Sequence, residues 1–281
     1  MRLVSFDTPA GPLAALLRDG RVYDIWGEAF AGVPHEERTI LALLQGGLLP
    51  EVTAVEDDGV PVEAVDLLPP IGRPEKIICI GLNYRAHAEE GGHDPPGTPT
   101  FFAKWTNALA PPGGTVKLPE WSEKIDYEAE VAFVIGERAK DVSEADAMDH
   151  VAGYTLLNDL SARDYQFKTP QWMPGKVFDG AAPCGPALVT PDEAGPHDAI
   201  EIELTLNGER MQKSSTADLI HSVPALVAYL SQLMTLEPGD VISTGTPAGV
   251  GSGRDPKVWL KPGDEVVVSS PQLGALETRL A

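Results

Sequence analysis

The sequence predicts a β-rich α+β fold. Short stretches of Val, Ile, Leu and aromatic residues recur along the chain, each bounded by Gly, Pro, Asn or Asp. Few segments carry the 3.6-residue apolar spacing of a helix. Strands and helices do not alternate regularly, which argues against a doubly wound sheet. A chain of 281 residues with 43% hydrophobic content can build one large domain and a smaller one.

Residues 1–70 read as a small N-terminal α/β domain. Arg2 to Phe6, Leu13 to Leu17 and Arg21 to Ile25 are strand-like, with turns at Pro9-Ala10-Gly11-Pro12 and Asp19-Gly20. Arg38 to Leu44 is helical in pattern and stops near Gly46-Gly47. No set of catalytic residue types stands out there. Pro69-Pro70-Ile71-Gly72-Arg73-Pro74 marks the boundary, and residues 71–281 form the second, larger domain.

In that domain Lys76 to Ile80 reads as a buried strand, and a short helix is expected after Asn83. His87 and Glu90 would then share a face at i and i+3. The pair suits an acid/base dyad, because a carboxylate orients an imidazole and raises its basicity; an exposed helix with a surface pair is the other reading. Gly91-Gly92-His93-Asp94-Pro95-Pro96-Gly97 suits a hinged flap. Thr100 to Lys104 is a short apolar segment. Arg85 and Lys104 read as surface charges, with contact to a second substrate carboxylate as the alternative.

Lys124 to Gly136 reads as one strand. Alternation puts Tyr127, Ala129, Val131, Phe133 and Ile135 on one apolar face. Asp126, Glu128 and Glu130 open the other face, which ends apolar at Ala132 and Val134. Neighbouring carboxylates on a half-buried face repel one another and resist desolvation, and a bound cation removes both penalties. An edge strand with its acidic end in water is the alternative.

Ser143 to His150 reads as a short helix with Ser143 as N-cap. Val151 to Leu157 is a strand, and Asp159 stands where it stops, either as a functional side chain on a rigid support or as a cap. Arg163 and Gln166 follow at i and i+3. Lys176 sits in the loop Gln171 to Asp179, either packed as a charge stabiliser or snorkelling at the surface. Ala187 to Val189, Ile200 to Leu206, Asp240 to Thr244 and Glu265 to Ser269 are strands. Asn207-Gly208 signals a hairpin, and Val223 to Leu233 a helix. Ser243 to Gly251 is a Gly-rich loop without the ending of a phosphate loop; its N–H groups and hydroxyls suit an anion.

There are 42 acidic residues against 21 Lys and Arg, a formal charge of −21. That field disfavours nucleic acid and anionic membrane surfaces. No apolar run is long enough for a membrane helix. The N-terminus does not read as a signal peptide. Two cysteines, Cys79 and Cys184, read as reduced, so the cytoplasm is the expected compartment.

Several motifs in one order resemble the fumarylacetoacetate hydrolase family, in particular its bacterial fumarylpyruvate hydrolase and acylpyruvase-like members. They are Gly81-Leu82-Asn83-Tyr84 with His87 and Glu90, Asp126-Tyr127-Glu128-Ala129-Glu130, Asn158-Asp159-Leu160-Ser161-Ala162-Arg163-Asp164, Gly175-Lys176-Val177-Phe178-Asp179, Asn207-Gly208-Glu209, and Thr244-Gly245-Thr246-Pro247 with Gly249-Val250-Gly251. The resemblance covers about residues 75 to 280. It implies a mixed β-sandwich roll, usually homodimeric. It implies metal ligands at Glu128, Glu130 and Asp159, catalytic roles for His87, Glu90 and Lys176, and substrate contacts from Arg163, Gln166 and Thr246. Val177 replaces a common Ser or Thr.

Three carboxylates without His or Cys select a hard cation, Mg²⁺ or Mn²⁺, with Ca²⁺ also fitting. A small anionic 2-oxo acid would be the substrate, and its enolate the species stabilised. The expected reaction is metal-dependent C–C hydrolysis of acylpyruvate-like 1,3-diketo acids. The alternatives on the same site are oxaloacetate-type decarboxylation and isomerisation of a 2-hydroxyhepta-2,4-diene-1,7-dioate in aromatic catabolism.

Overall fold

A computed structural model describes residues 1–55, 58–92 and 94–281. Its large sheet draws strands from Arg2–Phe6 through to Val241–Ser243. In chain order the main elements are β1 (Arg2–Phe6), β2 (Leu13–Arg18), β3 (Arg21–Tyr23), α1 (Ile40–Gln45), β4 (Ile77–Gly81), α2 (Arg85–Glu90), β5 (Thr100–Lys104), β6 (Ala129–Ile135), β7 (Val151–Asn158), α3 (Arg163–Gln166), β8 (Ala182–Val189), β9 (Glu201–Leu206), β10 (Glu209–Ser215), α4 (Val223–Leu233), β11 (Val241–Ser243), β12 (Glu265–Ser270) and β13 (Gly274–Leu280). Strand residues outnumber helical ones, as the pattern of short apolar stretches predicts.

The large sheet has the order β3-β2-β1-β8-β7-β6-β11-β4-β5, with Val60–Pro61 beyond β3. The N-terminal strands continue it, since Arg2 and Leu3 pair with Val189 and Leu188. One hydrophobic cluster runs from Leu3 to Leu280. A second sheet, β10-β9-β12-β13 followed by Thr115–Val116, packs across β6, β7 and β8. Every residue of β6 and β7 is therefore buried. The β9–β10 hairpin turns at Asn207 (φ 51°) and Gly208 (φ 82°), the two positive φ values that a tight two-residue turn demands.

Two expectations need correction. The acidic stretch is not one strand. Ile125–Asp126 pairs with Ser161–Ala162, and β6 begins only at Ala129. Asp126 accepts from the Tyr127 N–H at 2.9 Å, a local bond that competes with a continuous ladder. The helix expected over Ser143 to His150 is only a single 3₁₀ turn, Ala147–His150. Glu144, Ala145 and Asp146 are exposed, so that segment has no apolar stripe to bury. In the flap, the Pro96 carbonyl lies 3.0 Å from His221 Nε2; His93 lies outside the described residues.

Among the described residues no helix is long and apolar enough to cross a membrane. Cys79 and Cys184 are both buried and unpaired.

Candidate active site

Strand pairing brings the three acids together. In the antiparallel ladder of β6 and β7, Ala129 stands opposite Asn158. Just beyond it, the Asp159 N–H donates to the Glu128 carbonyl at 2.9 Å. Asn158 Oδ1 accepts from the Glu128 N–H, fixing the backbone where strand pairing ends. On the other side β11 pairs with β6, placing Ser243 beside Ala132. Glu128, Glu130 and Asp159 thus each present an oxygen within 4.8 Å of the others, all buried.

Each carboxylate has a different set of partners. Lys176 Nζ lies 2.7 Å from Glu128 Oε2 and 2.9 Å from Asp159 Oδ2. Arg163 Nη1 lies 2.7 Å from Glu128 Oε1. Burial opposes ionisation of Glu128, but Lys176 and Arg163 outweigh it and lower its pKa to about 2. Among the described residues no cation makes a direct ion pair with Glu130; Ser243 Oγ and the Gly245 N–H both donate to its Oε2. Burial, with Asp159 and Glu128 nearby, pushes the Glu130 carboxyl well above the usual range. A cation among these oxygens would relieve that repulsion. The donor set therefore fits a hard divalent ion, held by three oxygens with positions left for other ligands.

Lys176 is no snorkelling lysine. It is 2% exposed. Burial lowers an ammonium pKa, but Asp159 and Glu128 outweigh that and raise it. Its loop is pressed onto α3 at Gly175, where a Cβ would come within 2.5 Å of the Ala162 carbonyl. Lys104 also corrects the surface-charge expectation. It is 2% exposed, its Nζ lies 2.7 Å from Asp159 Oδ1, and it donates to the Ala181 carbonyl at 2.9 Å and to the Lys176 carbonyl.

A cavity of about 310 Å³ opens beside the acids. Its lining includes His87, Glu90, Gln166, Lys176 and Thr246, with Ile80, Leu82, Phe102, Phe167, Trp172 and Val250 as apolar surface. His87 Nδ1 lies 3.3 Å from Glu90 Oε2, and the two side chains are only 14% and 21% exposed. A carboxylate accepts from Nδ1–H, which leaves Nε2 with the lone pair. Glu90 also accepts from the Gly249 N–H at 3.1 Å, joining α2 to the Gly-rich loop.

Arg163 does not line the cavity. Its Nε binds Asp126 Oδ2 at 2.8 Å, and its Nη1 donates to Gln166 Oε1 at 2.9 Å. The Gln166 oxygen is thereby engaged, and among the described residues its amide nitrogen makes no hydrogen bond. Asp126 stands apart from the other acids, accepting from the N–H groups of Gly251 (2.7 Å) and Ser252 (3.0 Å). Gln212, which no sequence motif singles out, binds Thr246 Oγ1 at 2.8 Å.

Residues 76–281 match the family model described as fumarylacetoacetate (FAA) hydrolase C-terminal. The chain belongs to this family. Like other members of the fumarylacetoacetate hydrolase family, it has the family's sheet-rich fold with few helices. It is 41% identical over 285 residues to the mitochondrial oxaloacetate tautomerase fahd2 of Xenopus laevis, covering 98% of this chain and 89% of that one. Among solved structures it resembles a fumarylacetoacetate hydrolase from Exiguobacterium antarcticum (TM-score 0.85, 32% identity), covering 100% of this chain and 99% of that one. It also resembles a 5-carboxymethyl-2-hydroxymuconate delta-isomerase from Mycobacterium smegmatis (TM-score 0.79, 34% identity), covering 100% and 98%. Members of the fumarylacetoacetate hydrolase family are enzymes, and a hydrolase, an isomerase and a tautomerase are represented among these three relatives.

Proposed function

We propose that this chain is a divalent-metal-dependent enzyme acting on the enol or enolate of a small 2-oxo acid, with keto–enol interconversion of oxaloacetate as its leading reaction. The observation that carries this reading is the meeting, in one cavity, of three buried carboxylates, Lys176 and the His87–Glu90 pair. The likeness to an oxaloacetate tautomerase along nearly the whole chain favours proton transfer over hydrolysis.

Glu128, Glu130 and Asp159 would hold Mg²⁺ or Mn²⁺, with Ca²⁺ also fitting the oxygen donors. Such an ion, when bound, stabilises negative charge on an enolate oxygen. Lys176 places a fixed positive charge beside the same acids, where an oxyanion develops. His87 Nε2 takes the proton from the carbon next to the keto group, and Glu90 holds the imidazole in that tautomer. The same proton returned to oxygen completes the keto-to-enol direction. Phe102 and Trp172, 6.0 Å apart between ring centroids, help exclude water.

Hydrolysis of acylpyruvates is the second reading, favoured by the likeness to a fumarylacetoacetate hydrolase and by a His–Glu pair able to activate water. Supplying Mn²⁺-loaded protein with oxaloacetate and with acetylpyruvate separates the two. Faster enol–keto conversion of oxaloacetate is expected. Release of acetate and pyruvate from acetylpyruvate, with oxaloacetate tautomerisation left at its uncatalysed rate, would install the hydrolase instead.

A further inference from the structure

Thr246 and Gln212 form a pair whose hydrogen polarity the structure determines. Gln212 lies on β10, the edge strand of the smaller sheet. Leu204 pairs with Gln212 and Thr205 with Arg210, so Met211 is an extra residue in the ladder. Such a bulge re-aims side chains, and both Met211 and Gln212 are buried, against the alternation of a regular strand. Gln212 is 1% exposed.

Its amide is fixed from both ends. The Ala129 N–H, which can only donate, lies 2.9 Å from Oε1. The Pro247 carbonyl, which can only accept, lies 2.8 Å from Nε2. Flipping the amide would set donor against donor and acceptor against acceptor. Nε2 therefore donates to Thr246 Oγ1. The hydroxyl accepts there, and its own single proton must point elsewhere. Thr246 lines the cavity, and no protein acceptor is recorded for its proton among the described residues.

We propose that Gln212 directs the Thr246 hydroxyl proton into the cavity and so makes Thr246 a hydrogen-bond donor to an acceptor oxygen of the substrate. That this oxygen belongs to the carboxylate or enolate of a 2-oxo acid rests on the function proposed above. Gln212 is a positioning residue: it touches no substrate and acts through Thr246. The cavity then offers donors at Thr246 and Lys176, which selects ligands rich in acceptor oxygens and rejects an isostere presenting a hydroxyl donor at that point.

Gln212→Glu gives the test. A carboxylate only accepts, so it keeps the Ala129 bond, gives up the one to the Pro247 carbonyl and draws the Thr246 proton away from the cavity. With Mn²⁺-loaded protein and oxalate as probe, Gln212→Glu is expected to weaken binding by about 10-fold or more, as loss of a hydrogen bond to a charged group does. Thr246→Val should cost about as much, and Thr246→Ser should restore binding to within a few-fold of the parent. In the Thr246→Val background Gln212→Glu should add nothing. Equal losses in both backgrounds would overturn the proposal and mark a plain charge effect. A neutron structure of the deuterated protein reads the same point without metal or ligand. The Thr246 deuteron is expected to point into the cavity, and a deuteron directed at Gln212 would overturn the assignment. If the parent protein fails to bind oxalate, the proposed function fails, while the neutron map still decides the role of Gln212.

Discussion

Glu128→Gln is expected to weaken Mn²⁺ binding by about 100-fold or more, beyond the 10–100-fold that removal of an outer-shell partner costs. The substitution keeps the shape of the side chain and removes one of three ligand charges. It also takes from Lys176 and Arg163 a carboxylate that lies 2.7 Å from each, leaving them Asp159 and Asp126 as partners. Removing one member of a buried ion pair typically costs about 3–5 kcal/mol, so folding is checked first by circular dichroism and a denaturant melt. Mn²⁺ titration of the folded variant then gives the affinity. An unchanged titration would remove Glu128 from the metal set.

His87→Ala is expected to slow oxaloacetate tautomerisation by about 10²–10⁴-fold, the usual contribution of a positioned acid or base. Oxalate, a mimic of pyruvate enolate, should bind the variant within a few-fold of the parent. This asymmetry follows from the geometry. His87 lies in α2 with its Nδ1 on Glu90, while the acids that would hold a metal are carried by the strand ends of the sheet. Weakened oxalate binding with normal turnover would make His87 a binding group and not an acid or base.

Much of this site is visible in the sequence because its chemistry is locally unusual. Glu128 and Glu130 stand out as acids at the mouth of an otherwise apolar stretch, and no strand buries them at low cost without a counter-charge. Gln166 and Arg163 are three apart, and helical spacing alone predicts their contact at 2.9 Å. What the sequence hides is long-range. Lys104 ends a short strand as many surface lysines do, and only the fold carries Asp159 to it. Asp126 shares the alternation of Glu128 and Glu130, yet a break in the strand turns it to the N–H groups of Gly251 and Ser252. Arg163 has the residue type of a substrate anchor but stands behind Glu128, holding Gln166. Gln212 owes its position to a bulge, and no residue pattern announces that Met211 will be skipped.

The large sheet was legible for a related reason. The segments from Lys76 to Ile80 and from Val151 to Leu157 are near-continuous apolar runs, as strands buried on both faces require. The segment from Ser143 to His150 failed because a capping serine and scattered acids give a helix no apolar stripe to bury.

The measurement that bears most directly on the central claim is the decay of oxaloacetate enol absorbance with purified protein, before and after treatment with a metal chelator. The expected result is rapid conversion that falls to the uncatalysed rate on chelation and returns when Mg²⁺ or Mn²⁺ is restored. Conversion unchanged by complete removal of metal would contradict a metal-held enolate at Glu128, Glu130 and Asp159.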